Sequence, residues 1–299
     1  MPQSTSNSKI NAGLLVSIGA VAIAFLWSYW PTIVELVSIW EREPDYSHGY
    51  LVVPISIYFL WLRRSEIPTV LSPSSFGLIL LAASIGIRYL AARFSITSGD
   101  GYSILVWLAG VVLLFGGRQL FVWMLPSIGF LFFMVPLPFR IERLMSVPLQ
   151  MTAANISCFA LQCMGQPAFG EGTTILLGDQ QLYVEEACSG LRIFFGTMAL
   201  AFAYIIAARR ELWEAAILLV SVIPIALFAN SVRIVVIAFL FQHYSDETAR
   251  KYSHDISSWL MIPFAAACFG LLIWYLNCLV RRSTSFGLSD LVELNRSQA

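Results

Sequence analysis

Long apolar stretches, each close to the length of a membrane-spanning helix, most constrain the fold of this chain. The 299 residues are 58% hydrophobic and 12% charged, whereas about 25% of the residues in a soluble domain are charged. A helix of roughly 20 mostly apolar residues crosses a bilayer. We predict such spans at 11–32, 46–62, 76–94, 102–117, 119–137, 189–208, 212–241 and 258–280. The sequence therefore predicts an all-α polytopic membrane protein with about eight transmembrane helices.

The longest part outside these spans lies between the fifth and the sixth. Residues 140–164 carry apolar residues at helical spacing with few charges, which predicts an interfacial or partly buried helix. Two short apolar runs flank a Gly-Asp pair within 173–184, which predicts a β-hairpin. We expect both elements on the extracytoplasmic face. They belong to a single transmembrane domain of residues 11–282, between a polar N-terminus (1–10) and a polar tail (283–299).

The basic residues of the loops predict the orientation, because Lys and Arg favour the cytoplasmic side of short loops. One side of the eight-span arrangement receives Arg63, Arg64, Arg118, Arg209, Arg210, Arg281 and Arg282, and the other side receives most of the acidic loop residues. Both termini are then cytoplasmic in a multi-pass protein of the cell inner (plasma) membrane. The formal net charge is zero, so the expected partner is the lipid bilayer and no charge argument favours nucleic acid.

Three reactive side chains fall on the predicted extracytoplasmic side. Cys188 lies where a polar loop meets the sixth span, and a helix N-terminus favours a thiolate. Arg233 lies in an otherwise apolar span, where a charge costs about 2.5–3.5 kcal/mol on insertion scales. His254 lies in a polar loop before the last span. Each also has a simpler interpretation: a buried structural cysteine, an arginine that snorkels to the interface, and an ordinary loop histidine.

A thiol, a guanidinium and an imidazole together suffice for acyl transfer from a peptide bond. The thiolate attacks, the cation stabilises the oxyanion, and the imidazole protonates the leaving amine. Residues predicted to bind substrate or support the site are Arg192, Asn230, Ser189, Gly190, His48 and Glu186. The five cysteines form no CxxC pair or Cys/His cluster, so we expect neither a metal site nor a cofactor.

Two other functions remain open on the residues alone. A small-solute membrane transporter would use Arg233 and Asn230 as its solute site, although the sequence has no inverted repeat of the kind many transporters show. A membrane thiol acyltransferase would use Cys188 as a thioester carrier. Loss of solute flux, or a fatty acyl group on Cys188, would identify these functions.

Four ordered motifs resemble the exosortase/archaeosortase family. They are Tyr46–Pro54 followed by Trp61–Arg64, then Ala187–Arg192, then Asn230–Ile234, and finally His254 with Asp255 before a last span. The resemblance covers roughly residues 41–280. The histidine in the last motif is typical of the bacterial exosortase type.

The resemblance implies a multi-spanning cysteine transpeptidase. Such enzymes process membrane-anchored proteins that end in a PEP-CTERM-type sorting signal: a short Pro-Glu-Pro motif, a hydrophobic helix and a basic cluster. They cut near the motif through a thioacyl intermediate and transfer the protein to a surface acceptor, a polysaccharide or a lipid. The family's catalytic residues correspond to Cys188, Arg233 and His254. We hypothesise that Arg192, or Arg140 with Arg143, recognises the acidic residue of the motif.

Overall fold

The fold is dominated by long helices. The computed structural model describes residues 12–178, 180–184, 190–243 and 260–279. Its α-helices, in chain order, are α1 (Ala12–Arg42), α2 (Gly49–Leu62), α3 (Phe76–Phe94), α4 (Thr97–Phe130), α5 (Phe139–Cys163), α6 (Leu191–Ala208), α7 (Leu212–His243) and α8 (Leu260–Leu279). The strands are β1 (Ala168–Glu171), β2 (Thr174–Leu177) and β3 (Gln180–Tyr183).

The helix lengths confirm an all-α polytopic membrane protein. Among the described helices, seven are long and apolar enough to cross a membrane, and α2, with 14 residues, is shorter. One of the seven is α5, whose 25 residues cover the segment predicted to be an interfacial or partly buried helix. By length and composition, α5 is therefore as capable of crossing a bilayer as its neighbours.

A kink at Gly117 divides α4 where the sequence predicts the boundary between the fourth and fifth spans. Gly117 has φ 74° and ψ −171° inside the helix, a conformation that favours glycine. A Cβ atom there would lie 1.8 Å from the carbonyl oxygen of Ser72. The close backbone approach and the dihedral angles both require glycine at this position.

The strands form one small antiparallel sheet in the order β1-β2-β3. The predicted hairpin corresponds to β2 and β3, in which Ile175 pairs with Leu182. Strand β1, which the sequence did not predict, pairs with β2 through Phe169 and Leu176. The sheet packs its buried side chains against α5 and α7, and Ile175 is completely buried there.

The chain divides into two compact units, Met1–Val53 with Glu66–Pro136 and Pro54–Ser65 with Leu137–Ala299. In the first unit, the indole nitrogen of Trp40 donates a hydrogen bond to the Met134 carbonyl at 2.8 Å. Also within this unit, Arg88 donates to the hydroxyl of Ser28 at 2.6 Å. These bonds join α1 to α3 and to the turn that follows α4 in the same unit.

The second unit contains two clusters of buried apolar residues. One joins α5, the sheet and α7 through Leu161, Ile175 and Ile237. The other joins α6, α7 and α8 through Leu191, Ala229 and Phe269. Helix α7 contributes to both clusters, so its side chains are packed on more than one face.

Arg210, between α6 and α7, connects three helices of the second unit. Its guanidinium donates hydrogen bonds to the Tyr204 hydroxyl at 2.5 Å, to Glu214 at 3.2 Å and to the Asn277 side chain. The hydrogen bond to Tyr204 is the first cause that raises the pKa of Arg210 above its usual range. The arginine therefore keeps its charge, and Glu214 is a buried partner for it.

Candidate active site

The structure describes five of the residues that the sequence predicts at the site: Arg233, Asn230, Arg192, Gly190 and His48. The other four, Cys188, His254, Ser189 and Glu186, lie outside the described residues. The geometry can therefore be built from α6 and α7, which carry the first four of the described candidates.

Gly190 forms the turn that leads into α6 and lies next to the side chain of Asn230 on α7. It is the N-cap residue of α6, with φ 69° and ψ −15°, in the left-handed region that favours glycine. A Cβ atom on Gly190 would lie 3.1 Å from Nδ2 and 3.3 Å from Cγ of Asn230. The structure thus brings together two predicted site residues that are 40 positions apart in the sequence.

Arg233 and Asn230 are both buried in α7. Asn230 is 2% exposed and Arg233 is 9% exposed, and residues three apart share a helix face. The Nε atom of Arg233 is buried and has no hydrogen-bond partner among the described residues. Buried charges are normally paired or hydrogen-bonded because an unpaired one is costly. The Nε atom of Arg233 is therefore a buried donor for which the described residues supply no acceptor.

Helix α5 supports this part of α7 through a polar contact. The Ser157 hydroxyl is fully buried, donates to the Ala153 carbonyl at 2.7 Å and lies 3.2 Å from the Ser231 carbonyl. Ala153 and Ala154 on the same face are also fully buried, and small residues allow two helices to approach closely. The Ser231 carbonyl belongs to the helical turn between Asn230 and Arg233, so Ser157 packs directly against the candidate site.

The sequence reasoning missed this part of α5. Gln150, Ala153, Ala154 and Ser157 recur at helical spacing and form one buried face. The available signal was the pairing of small and polar residues at these positions, which is typical of helix–helix contacts in membranes. The amphipathic pattern of residues 140–164 predicts an interfacial or partly buried helix, and it does not identify the partner of this face.

Arg192 lies on the first turn of α6 and lines a cavity of about 30 Å³, together with Thr197 and Ile262. This volume is comparable to that of a single water molecule. Arg192 is half-buried, and Thr197 is buried. The cavity lies between α6 and α8, and so it belongs to the second unit, as Gly190 and Arg233 do.

His48 lies in the first unit, in the turn before α2. It is half-buried, and its carbonyl accepts a hydrogen bond from the Leu51 amide at 2.9 Å. The neighbouring Gly49 is buried, and a Cβ atom there would lie 2.3 Å from the indole nitrogen of Trp40. Part of this N-terminal motif therefore has a packing explanation: glycine makes room for the tryptophan ring.

A further cavity of about 400 Å³ lies within the first unit. Its polar lining includes Glu35, Thr32 and Asp100, and the Thr32 hydroxyl donates to Asp100 at 3.2 Å. Arg88 lies 3.7 Å from the same carboxylate. This cavity contains none of the residues that the sequence predicts at the site.

Comparison with protein families identifies a match to the model described as transmembrane exosortase over residues 40–273. The match covers well over half of the chain and includes the N-terminal motif, Cys188, Arg233 and His254. No curated protein and no solved structure matches the chain.

Proposed function

The chain belongs to the transmembrane exosortase family, and we propose that it is a membrane cysteine transpeptidase that cleaves PEP-CTERM-type sorting signals. Exosortases are membrane proteases or transpeptidases that act on sorting signals. The substrates would be membrane-anchored proteins with such a C-terminal signal. The enzyme would transfer them to a polysaccharide or lipid acceptor at the cell surface.

In the proposed mechanism, Cys188 is the nucleophile. Its thiolate attacks the scissile carbonyl and forms a C–S bond, while Arg233 stabilises the oxyanion of the tetrahedral intermediate. The C–N bond then breaks, and His254 gives a proton to the leaving amine. An acceptor nucleophile attacks the resulting thioester, transfers its proton to the neutral His254 and restores the thiolate.

The buried guanidinium of Arg233 is the observation that supports this proposal most strongly. Gly190 contacts Asn230, one helical turn from Arg233. Cys188 precedes Gly190 by two residues, a distance that extended backbone spans in at most about 7 Å. The covalent chain thus keeps the proposed nucleophile close to the face of α7 that carries the arginine.

The remaining candidates have supporting roles in this proposal. Asn230 fixes the turn at Gly190, and Ser189 with Gly190 leaves room for the substrate backbone. Arg192, four residues after Cys188 in the sequence and on the first turn of α6, recognises the acidic residue of the motif. Glu186 and His48 are the two further residues to which we assign a supporting role.

We also propose the orientation that the loop charges predict. Both termini lie in the cytoplasm, the active site lies at the extracytoplasmic face of the inner membrane, and residues 11–282 form one transmembrane domain. A substrate anchored by one hydrophobic helix would then present its motif on the side where Cys188 lies. Reporter fusions at the two termini test this arrangement, and an extracytoplasmic signal from either would contradict it.

Co-expression with a tagged protein that carries a Pro-Glu-Pro-type C-terminal signal tests the proposed function. On an immunoblot, wild type should give a shortened product, whereas Cys188→Ala, Cys188→Ser and Arg233→Met should not. Cys278→Ser is the matched control, because Cys278 is an exposed thiol on α8, and it should process normally. Equal processing by wild type and the Cys188 variants would remove Cys188 as the nucleophile.

The same strains separate the two other functions. Uptake or efflux that depends on Arg233, without any shortened protein, would indicate a solute transporter. A fatty acyl group on Cys188 that is released by hydroxylamine would indicate a thiol acyltransferase.

A further inference from the structure

The first turns of α5 carry a groove that the proposed chemistry does not use. The groove is open, has a volume of about 560 Å³ and is lined by Phe139, Arg140, Arg143, Leu144, Val147 and Pro148. We refer to it as the α5 groove. Further along α5, Ala153 and Ser157 are buried and pack against α7, whereas the groove lies on the first turns of the helix, which the described chain leaves uncovered.

The charge of the groove is basic. Arg140 and Arg143 are both exposed, and residues three apart lie on the same side of a helix. Neither guanidinium has an ion-pair partner among the residues that the structure describes. Glu142 lies between them and is half-buried, which leaves one net positive charge and two exposed guanidinium groups. Guanidinium groups bind phosphate oxygens in a forked, bidentate geometry.

The apolar wall of the groove is also exposed. Phe139 and Leu144 are each 73% exposed, and Val147 is 36% exposed. From Arg140 to Pro148 the helix rises about 12 Å, at 1.5 Å per residue. The hydrocarbon of one leaflet of a bilayer is about 15 Å thick, so the groove is long enough to contact most of the length of one acyl chain.

Leu144 and Val147 follow the two arginines along α5, as the acyl chains follow the phosphate in a phospholipid, and Phe139 immediately precedes the arginines. The arginines lie near the end of a helix that is long and apolar enough to cross a membrane, where their side chains reach the headgroup level. The same is true if α5 lies along the membrane surface. In both arrangements the cations face phosphate groups and the apolar side chains contact acyl chains.

We propose that the α5 groove binds an anionic phospholipid, with Arg140 and Arg143 holding its phosphate and Phe139, Leu144 and Val147 holding its acyl chains. Each basic side chain near an anionic headgroup contributes about 1 kcal/mol. Loss of both should therefore weaken binding by about thirtyfold, the factor that corresponds to about 2 kcal/mol. This site does not depend on the thiol chemistry proposed above.

Mass spectrometry of the intact protein, released from detergent, tests the proposal with phosphatidylglycerol as the anionic probe and phosphatidylcholine as the neutral one. Wild type should retain more phosphatidylglycerol than phosphatidylcholine. Arg140→Gln/Arg143→Gln should need about thirtyfold more phosphatidylglycerol to reach the same occupancy. Arg93→Gln/Arg118→Gln is the matched control, since it removes two other exposed arginines. That control should bind phosphatidylglycerol as wild type does.

Three outcomes would overturn the proposal. Equal phosphatidylglycerol binding by wild type and Arg140→Gln/Arg143→Gln would show that the arginines do not hold the phosphate. Equal retention of phosphatidylcholine would show a purely apolar surface. If the double variant binds phosphatidylglycerol normally but loses processing of a tagged substrate, the arginines serve the carboxylate of the substrate instead. The lipid measurement gives the same answer in a Cys188→Ala background, so its failure is distinct from failure of the proposed enzyme activity.

Discussion

Replacing Gly190, the N-cap of α6, with alanine should destabilise the protein and disturb the candidate site, although it adds only one methyl group. The new Cβ atom would lie 3.1 Å and 3.3 Å from two atoms of the buried Asn230 side chain, tighter than ordinary van der Waals contact. Overpacking of this kind costs about 1–3 kcal/mol. The left-handed φ of 69° adds about 1–2 kcal/mol for a residue with a side chain. We expect a combined destabilisation of about 2–5 kcal/mol.

Activity should fall further than stability. If the strain is relieved by moving the turn, Cys188 moves with it, and a displacement of about 1 Å can cost about a hundredfold in rate. Three measurements check this: the thermal midpoint in detergent, the rate of sorting-signal processing, and the alkylation rate of Cys188 by iodoacetamide, resolved from the other cysteines by peptide mapping.

Gly196→Ala is the control for this prediction, because it lies on the same helix and a Cβ atom there would meet nothing within 4 Å. It should be neutral or stabilise the helix by about 1 kcal/mol. Adding Asn230→Ala to Gly190→Ala should recover part of the lost stability, since it removes the atoms that the new methyl group meets. If Gly190→Ala behaves as Gly196→Ala does in all three measurements, the close contact with Asn230 has no functional importance.

Further predictions concern helix packing and the buried charge. Gly117→Ala should lower the thermal midpoint and reduce the free energy of unfolding by about 3 kcal/mol or more, because its Cβ would lie 1.8 Å from the Ser72 carbonyl oxygen. Gly86→Ala is the control, since the space around Gly86 is open. Ser157→Leu should overpack the α5–α7 contact and cost about 1–3 kcal/mol, whereas Ser157→Ala should cost about 1 kcal/mol; equal thermal midpoints for these two variants would contradict the packing argument. Glu214→Ala should cost about 1–3 kcal/mol by removing the buried acceptor of Arg210, and unchanged melting would show that Tyr204 and Asn277 suffice. Arg233→Met should abolish processing while the thermal midpoint stays equal or rises, and a large fall in the midpoint would assign Arg233 a structural role.

The sequence predicts the helices well, because their signal is local. An apolar stretch must cross the membrane or be buried whatever its partners are, so the positions of α3, α6 and α7 follow from composition. The break at Gly117 is also local, since Gly116, Gly117 and Arg118 interrupt an apolar run. Strand β1 was missed because Ala168–Glu171 has little β propensity of its own, and pairing with β2 stabilises it.

The site is predictable only in part, for a physical reason. Arg233 is conspicuous in the sequence because a charge in an apolar span is costly. The contact between Gly190 and Asn230 joins residues on different helices, and no periodicity within one helix contains that information. The same holds for Ser157, whose importance depends on the Ser231 carbonyl of another helix. Pairwise contacts of this kind depend on how the helices pack, which the pattern of a single chain does not specify.

The burial of Arg233 carries an energetic cost that bears on its proposed role. A hydrophobic residue at this position would avoid the cost of desolvating a charge, about 2.5–3.5 kcal/mol on insertion scales. Snorkelling would lower that cost, but Arg233 is 9% exposed and its Nε atom is buried. Within the described residues, nothing bonded to that atom repays the cost. A preformed, desolvated cation stabilises a thiolate and the oxyanion that follows it effectively, because the electrostatic interaction is strongest where water is excluded. The buried Nε atom therefore supports the catalytic role proposed for Arg233, and the thermal midpoint and processing by Arg233→Met separate that role from a structural one.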